Sequence, residues 1–269
     1  MTDAKHYISP DRPSLDHKIK PFKALKHMRR LIADKEDTTQ VFYIIESLNG
    51  RMLLNDFESF IADPRGKTLV EKQEILAPIL DDHARWKALP EDTVGRAYLR
   101  FMTSQGLSAQ GLIDEYERYD SDFSGFGDGI EWYANRRRDT HDLLHVLTGY
   151  SRDAFGESCV LAFTDGQHAD RGARFIAYMA GREVKKHAPK GAPVFTAIRD
   201  AQKNGRSAKS VILEDIVSLM AQPLEAARKR LNIRPPTHYK QTHLLMHEHG
   251  IDPFGVVGSG EGSGNFAAA

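Results

Sequence analysis

His141-Asp142-Leu143-Leu144-His145, followed after eleven residues by Glu157, is the stretch from which the rest of the chain can be read. A helix turns about 100° per residue, so His141 stands at 0°, His145 at roughly 40° and Asp142 at roughly 100°, all on one face. Gly149 then reads as a helix stop and Ser151 as a fresh N-cap, with a returning helix from Arg152 to Phe163. That helix carries Glu157 back over the first three groups. A helical hairpin of this kind gathers two imidazoles and two carboxylates, the donors that a divalent cation of borderline to hard character accepts. The same spacing also suits a buried histidine pair hydrogen-bonded to Asp142 and Glu157 without a metal.

Working outward, the periodicity is helical throughout, and no segment alternates apolar and polar residues as a half-buried strand would. Leu25, Met28, Leu31 and Ile32 mark one helix; Thr39 to Leu48, Met52 to Ile61, Leu69 to about Ala77, and Glu91 through Gly95 to Gln105 mark others, with one more beginning at Ser108. Ile130 to Leu147 reads as one continuous helix bearing the histidines. Residues 170–187 and 209–231 supply two or three more, with Pro223 in the first turn of the last. The reading is therefore all-α: a flexible segment over 1–21, a single multi-helix domain over 22–236, and a disordered Gly/Ser/His-rich tail over 237–269.

Composition narrows the function classes. Lys plus Arg and Asp plus Glu number 37 each, so no global positive field exists to hold nucleic acid. The single cysteine, Cys159, rules out an intrachain disulfide and fits a reducing compartment. It points about 200° away from Glu157 on a helix and reads as a small buried hydrophobe rather than a ligand. Mean hydropathy is −0.48, and no apolar run reaches the roughly eighteen residues that a membrane span needs. Acidic Asp3, Asp11 and Asp16 argue against a secretory or mitochondrial leader, and a bacterial cytosolic chain is the simplest expectation.

Two further clusters invite a metal and are read otherwise. The acidic, glycine-rich 120–129 segment lacks the closing bidentate Glu of a calcium loop and reads as a loop feeding the histidine helix. His238, His243, His247 and His249 read as adventitious binders in a polar tail, with a second metal site as the alternative.

The string His-Asp-x-x-His-x11-Glu resembles the signature of the coenzyme Q biosynthesis protein 4 family. So do Asp37-Thr38-Thr39-Gln40-Val41-Phe42 with Ile44-Ile45-Glu46, the Arg138-Asp139-Thr140 lead-in (Asp where the family has Glu), and the close Arg230-Leu231-Asn232-Ile233-Arg234-Pro235-Pro236. The resemblance covers about residues 22–236. It implies ubiquinone synthesis, with removal of the C1 carboxylate, coupled to hydroxylation at that carbon, from a polyprenylated hydroxybenzoate-type head group. The implied ligands are His141, Asp142, His145 and Glu157; zinc is the first expectation for the metal, and iron or manganese also suit the donors. Glu157 and Arg138 are the expected catalytic residues. Arg138 either forks onto a substrate carboxylate or neutralises Glu157 or Asp142. Apolar stripes in 41–60 and 94–102 can line a groove for the isoprenoid tail or form plain core. Expected partners are the polyprenylated precursor, other ubiquinone-biosynthesis proteins, a second copy of the chain in a homo-oligomer, and the inner face of the bacterial cell membrane as a peripheral contact.

The competing class is a non-catalytic prenyl-lipid-binding scaffold with a structural metal. A zinc protease fits poorly, because Asp142 is one methylene shorter than the Glu of His-Glu-x-x-His. An HD-type phosphohydrolase fits poorly too, since its other ligands come from separate helices.

Overall fold

The computed structural model describes residues 4–34, 37–117, 119 and 124–256. Among them the helical periodicity becomes sixteen α-helices, and the only strand-like feature is a lone bridge between Thr93 and Pro223. The first eight helices are α1 (Pro21–Ala33), α2 (Thr39–Asn49), α3 (Met52–Ala62), α4 (Pro64–Lys72), α5 (Ala77–Leu80), α6 (His83–Lys87), α7 (Val94–Gln105) and α8 (Ala109–Glu117). The next four are α9 (Gly129–Asp139), α10 (His141–Thr148), α11 (Ala154–His168) and α12 (Arg171–His187). The last four are α13 (Val194–Ser207), α14 (Ile216–Met220), α15 (Leu224–Leu231) and α16 (Thr237–Glu248). No helix among the described residues is long and apolar enough to cross a membrane.

Helix α11 is the axis of the packing. It lies against α10, α12 and α13, and α16 also packs on it. Phe155, Cys159, Val160 and Phe163 on α11 are fully enclosed, so Cys159 takes the buried apolar role read from sequence. On α10, Leu143 and Leu147 are fully buried, about 1.5–3 kcal/mol each, and this sets the rotation of the helix. His141 and His145 leave the opposite side of α10 and meet the start of α11. Gly149 closes α10 at φ 75°, the left-handed conformation that glycine adopts without strain. Gly156 passes so close to the preceding turn that a β-carbon there would sit 1.8 Å from the Ser151 carbonyl oxygen.

Several boundaries differ from the sequence reading. The expected helix Ile130–Leu147 is two helices, with Thr140 between α9 and α10. Its hydroxyl bonds back to the Arg136 and Arg137 carbonyls at 2.9 and 3.2 Å, a competition with the backbone that bends helices. The returning helix is capped by Asp153, not Ser151, and runs on to His168. Helix α13 has no counterpart in the reading, although Val194, Ala197, Ile198 and Ala201 form its buried stripe.

Both ends of the chain pack further than composition suggested. Arg12 forks onto Asp128 at 2.7 and 2.8 Å, and Leu15 is buried, so much of the segment expected to be flexible docks on the N-cap of α9. In the expected disordered tail, Tyr239, Thr242 and Met246 form the buried stripe of α16. Glycine density starts only near Gly255, and residues 257–269 lie outside the described residues. Between Ser124 and Asp128 the chain is a loop as expected. There the N–H groups of Gly125, Phe126 and Gly127 converge on the Glu131 carboxylate, an anion-holding arrangement. Residues 120–123 lie outside the described part.

Candidate metal centre

His141, at the first position of α10, and His145, one turn on, stand edge to face with ring centroids 5.1 Å apart. Glu157, one turn into α11, places Oε2 3.3 Å from His141 Nε2 and Oε1 3.3 Å from His145 Nε2. One ligand atom from each residue lies within 4.8 Å of the other two, and among the described residues this is the single such group of histidine, cysteine and carboxylate side chains.

The tautomer of His145 is decided by its other nitrogen. Nδ1 lies 3.0 Å from the Tyr150 carbonyl oxygen, which can only accept, so Nδ1 carries a proton. Neutral His145 therefore turns the Nε2 lone pair toward Glu157. Nε2 is fully buried and, despite the 3.3 Å approach, has no aligned hydrogen bond. A lone pair facing a carboxylate in an enclosed space is repulsive unless a proton or a cation lies between them. Burial alone would lower the His145 imidazole, but Glu157 raises it above its usual value; burial would raise Glu157, but the imidazoles, His145 first, hold it well below. The donor set thus fits a divalent metal: two imidazoles and a carboxylate whose charge is retained, with one imidazole oriented by a backbone carbonyl. His141 and Glu157 side chains keep 26% and 31% of their exposure, so the group has an open edge where a water or substrate atom can enter.

Asp142 does not join the other three. Its buried carboxylate lies outside the 4.8 Å group and, after burial itself, is the leading influence raising the Tyr98 phenol on α7. With a single methylene and a 100° offset from His141, it stays outside that group. Its negative charge still favours protonated or cation-bound His145. Arg138 does not touch Glu157 or Asp142 either. It is held by Asp139 at 2.8 Å and Asn135 at 3.1 Å, over the Tyr116 ring at 5.0 Å. The guanidinium beside Glu157 is instead Arg152, at 3.8 Å from Oε1. It was missed, because only the direction of the 149–153 turn brings it there.

Arg138 and Asp139 also line a cavity of about 460 Å³, with Tyr116, Tyr119, Trp132 and Ile75 among its walls. That wall stops two residues before His141. The stripes 41–60 and 94–102 do not line the cavity; Ile44, Phe57, Phe60, Tyr98 and Met102 are buried core. The histidines of α16 are dispersed rather than clustered: His238 meets Asp200 at 2.5 Å, His243 meets Asp153 at 3.2 Å and His249 bonds its own helix.

The fold and this centre define an all-helical protein whose candidate metal site spans a helical hairpin. Residues 23–237 match the model of the family described as "Coenzyme Q (ubiquinone) biosynthesis protein Coq4", and the chain belongs to that family. It is 27% identical over 185 residues to the mitochondrial ubiquinone biosynthesis protein COQ4 homolog of Rattus norvegicus, covering 66% of this chain and 64% of the rat protein. The Homo sapiens homolog is 28% identical over 186 residues, 65% of this chain and 64% of the human protein. The chain thus spans somewhat less than two thirds of the length of these relatives. A crystal structure of the "Putative ubiquinone biosynthesis protein" of Nostoc punctiforme PCC 73102 shares the fold, with a TM-score of 0.59 at 20% identity over 81% of this chain and 100% of that one.

Proposed function

We propose that this protein acts in ubiquinone biosynthesis as a metal-dependent enzyme that replaces the C1 carboxylate of a polyprenylated hydroxybenzoate-type head group by a hydroxyl. The observation that carries this reading is the buried His145 Nε2 atom, 3.3 Å from the Glu157 carboxylate without an aligned hydrogen bond, a gap that a cation completes. His141, His145 and Glu157 hold the metal, with zinc the first choice and iron or manganese alternatives. When bound, the cation polarises the head group and stabilises developing negative charge.

The chain's own groups supply the rest. Arg138, fixed at its cavity by Asp139 and Asn135, offers a cation for the head-group carboxylate. The aromatic walls at Tyr116, Tyr119 and Trp132 take the ring and the first isoprene units. The Asp139 carboxyl, raised by burial against the opposing pull of Arg138, holds that guanidinium in place. Loss of CO₂ with gain of a hydroxyl is a two-electron oxidation, so an external oxidant is a co-reactant. The open edge at His141 and Glu157 favours this catalytic reading over a scaffold with a closed structural metal.

The test is turnover of a carboxyl-labelled polyprenyl hydroxybenzoate by the metal-loaded protein. Release of labelled CO₂ by wild type and its loss in Glu157→Gln are expected; release at equal rates by both would overturn the assignment.

A further inference from the structure

The family match ends at residue 237, where α16 begins, yet α16 reaches the turn of the hairpin that carries the candidate ligands and the helix that follows it. The Tyr239 hydroxyl donates to Asp153 Oδ2 at 2.6 Å and accepts from the Ser151 N–H at 3.0 Å; the Ser151 hydroxyl also contacts it. His243 Nε2 meets Asp153 Oδ1 at 3.2 Å. Asp153 is the N-cap of α11, accepting from the N–H groups of Phe155 and Gly156 at 3.0 and 3.1 Å, and its carbonyl takes the N–H of Glu157 at 2.9 Å. The Tyr239 ring stands edge-on to Tyr150 at 5.2 Å, and the Tyr150 carbonyl orients the His145 imidazole. Thus one side chain of α16 touches the residue that fixes His145 and the residue that starts the helix of Glu157.

The geometry points to α16 as an added buttress of the metal centre, with Tyr239 as its principal positioning residue and His243 as its second. This rests on the metal reading of His141, His145 and Glu157. Tyr239 touches none of the three; it acts by fixing the turn between the two ligand-bearing helices. Groups that orient metal ligands from behind usually change affinity about 10- to 100-fold when removed.

Cobalt(II), a spectroscopic substitute for zinc, tests it on the full chain. The d–d absorption reports ligand geometry, and competition with a chelator reports affinity. Tyr239→Phe keeps the ring and removes the hydroxyl. It is expected to weaken cobalt about 10-fold and to shift the d–d band, with helical circular dichroism unchanged. His243→Ala, at a partly exposed position, should move both readings in the same direction by less. Leu244→Ala, on the exposed side of α16, should leave them at the wild-type values. If folded Tyr239→Phe and His243→Ala bind cobalt with wild-type affinity and spectrum, α16 is only packing and the inference fails while the metal centre stands. Should Tyr239→Phe not fold, His243→Ala alone decides on the same two readings. If the wild-type protein itself takes up no cobalt or zinc, the metal reading fails and the buttress with it.

Discussion

Two carboxylates one turn apart at the start of α11 have opposite surroundings. Asp153 is fully buried and meets five donors: the N–H groups of Phe155 and Gly156, the hydroxyls of Ser151 and Tyr239, and His243. Glu157, with the same charge, meets two imidazole nitrogens, one of which is a buried atom without an aligned hydrogen bond, and the more distant Arg152 at 3.8 Å. A carboxylate saturated by hydrogens is a structural clasp. One facing unpaired nitrogen across an enclosed gap leaves room for a cation. The contrast predicts that losing Asp153 costs stability and losing Glu157 costs metal.

The largest effect tests the clasp. Asp153→Ala leaves five donors unmatched in the interior and should cost about 3–5 kcal/mol in urea unfolding, the range for breaking one side of a buried pair. A loss below about 1 kcal/mol would mean that the network is slack. Removing α16 by ending the chain at Pro236 exposes the partners of Tyr239 and Met246 and should lower the thermal midpoint by about 5–10 °C; an unchanged midpoint would return α16 to the status of a tail.

On the other carboxylate the pattern reverses. Glu157→Gln should stay within about 1 kcal/mol of wild type in metal-free urea unfolding, since the side chain is partly exposed, while metal content falls sharply. Equal damage to stability and metal content would erase the contrast. Asp142→Asn, outside the group of three, should weaken metal by less than about 10-fold, whereas His145→Ala should abolish binding; the reverse order would restore Asp142 as a ligand.

The smallest effect concerns acid. Burial would raise the Asp153 carboxyl, but His243, Ser151 and Tyr239 hold it below the ordinary value. A depressed folded pKa stabilises fully above the unfolded value of about 3.9, and the contribution is lost as pH falls through the lower folded value. Asp153→Asn has no such charge to lose, so it should show a shallower decline in urea midpoint below about pH 4 than wild type; parallel declines would contradict the assignment.

The helical class and three members of the centre were legible because spacing alone sets them: His141, His145 and Glu157 depend only on helix period and one turn. Asp142 falls outside the group of three because a shared helix face sets only an angle, and spacing does not say whether a carboxylate 100° from His141 reaches the ligand atoms. Arg152 and Tyr239 were invisible for a different reason. Each reaches its partner through the direction of a turn or a contact 86 residues away in sequence, from Tyr239 to Asp153, and no local pattern encodes that. The N-terminal segment was misjudged because its fixing contact, Arg12 to Asp128, spans 116 residues. Composition there is polar, and polarity marks disorder only where no distant partner exists.

The proposed function stands or falls on whether the gap between His145 and Glu157 belongs to a cation. Elemental analysis of protein purified without added metal and without a metal-affinity step, wild type beside His145→Ala, tests it most directly. The account predicts about one divalent metal per wild-type chain and none in the variant, both folded by circular dichroism. Wild-type protein that stays metal-free even after incubation with zinc, iron and manganese would show that a proton alone fills the gap.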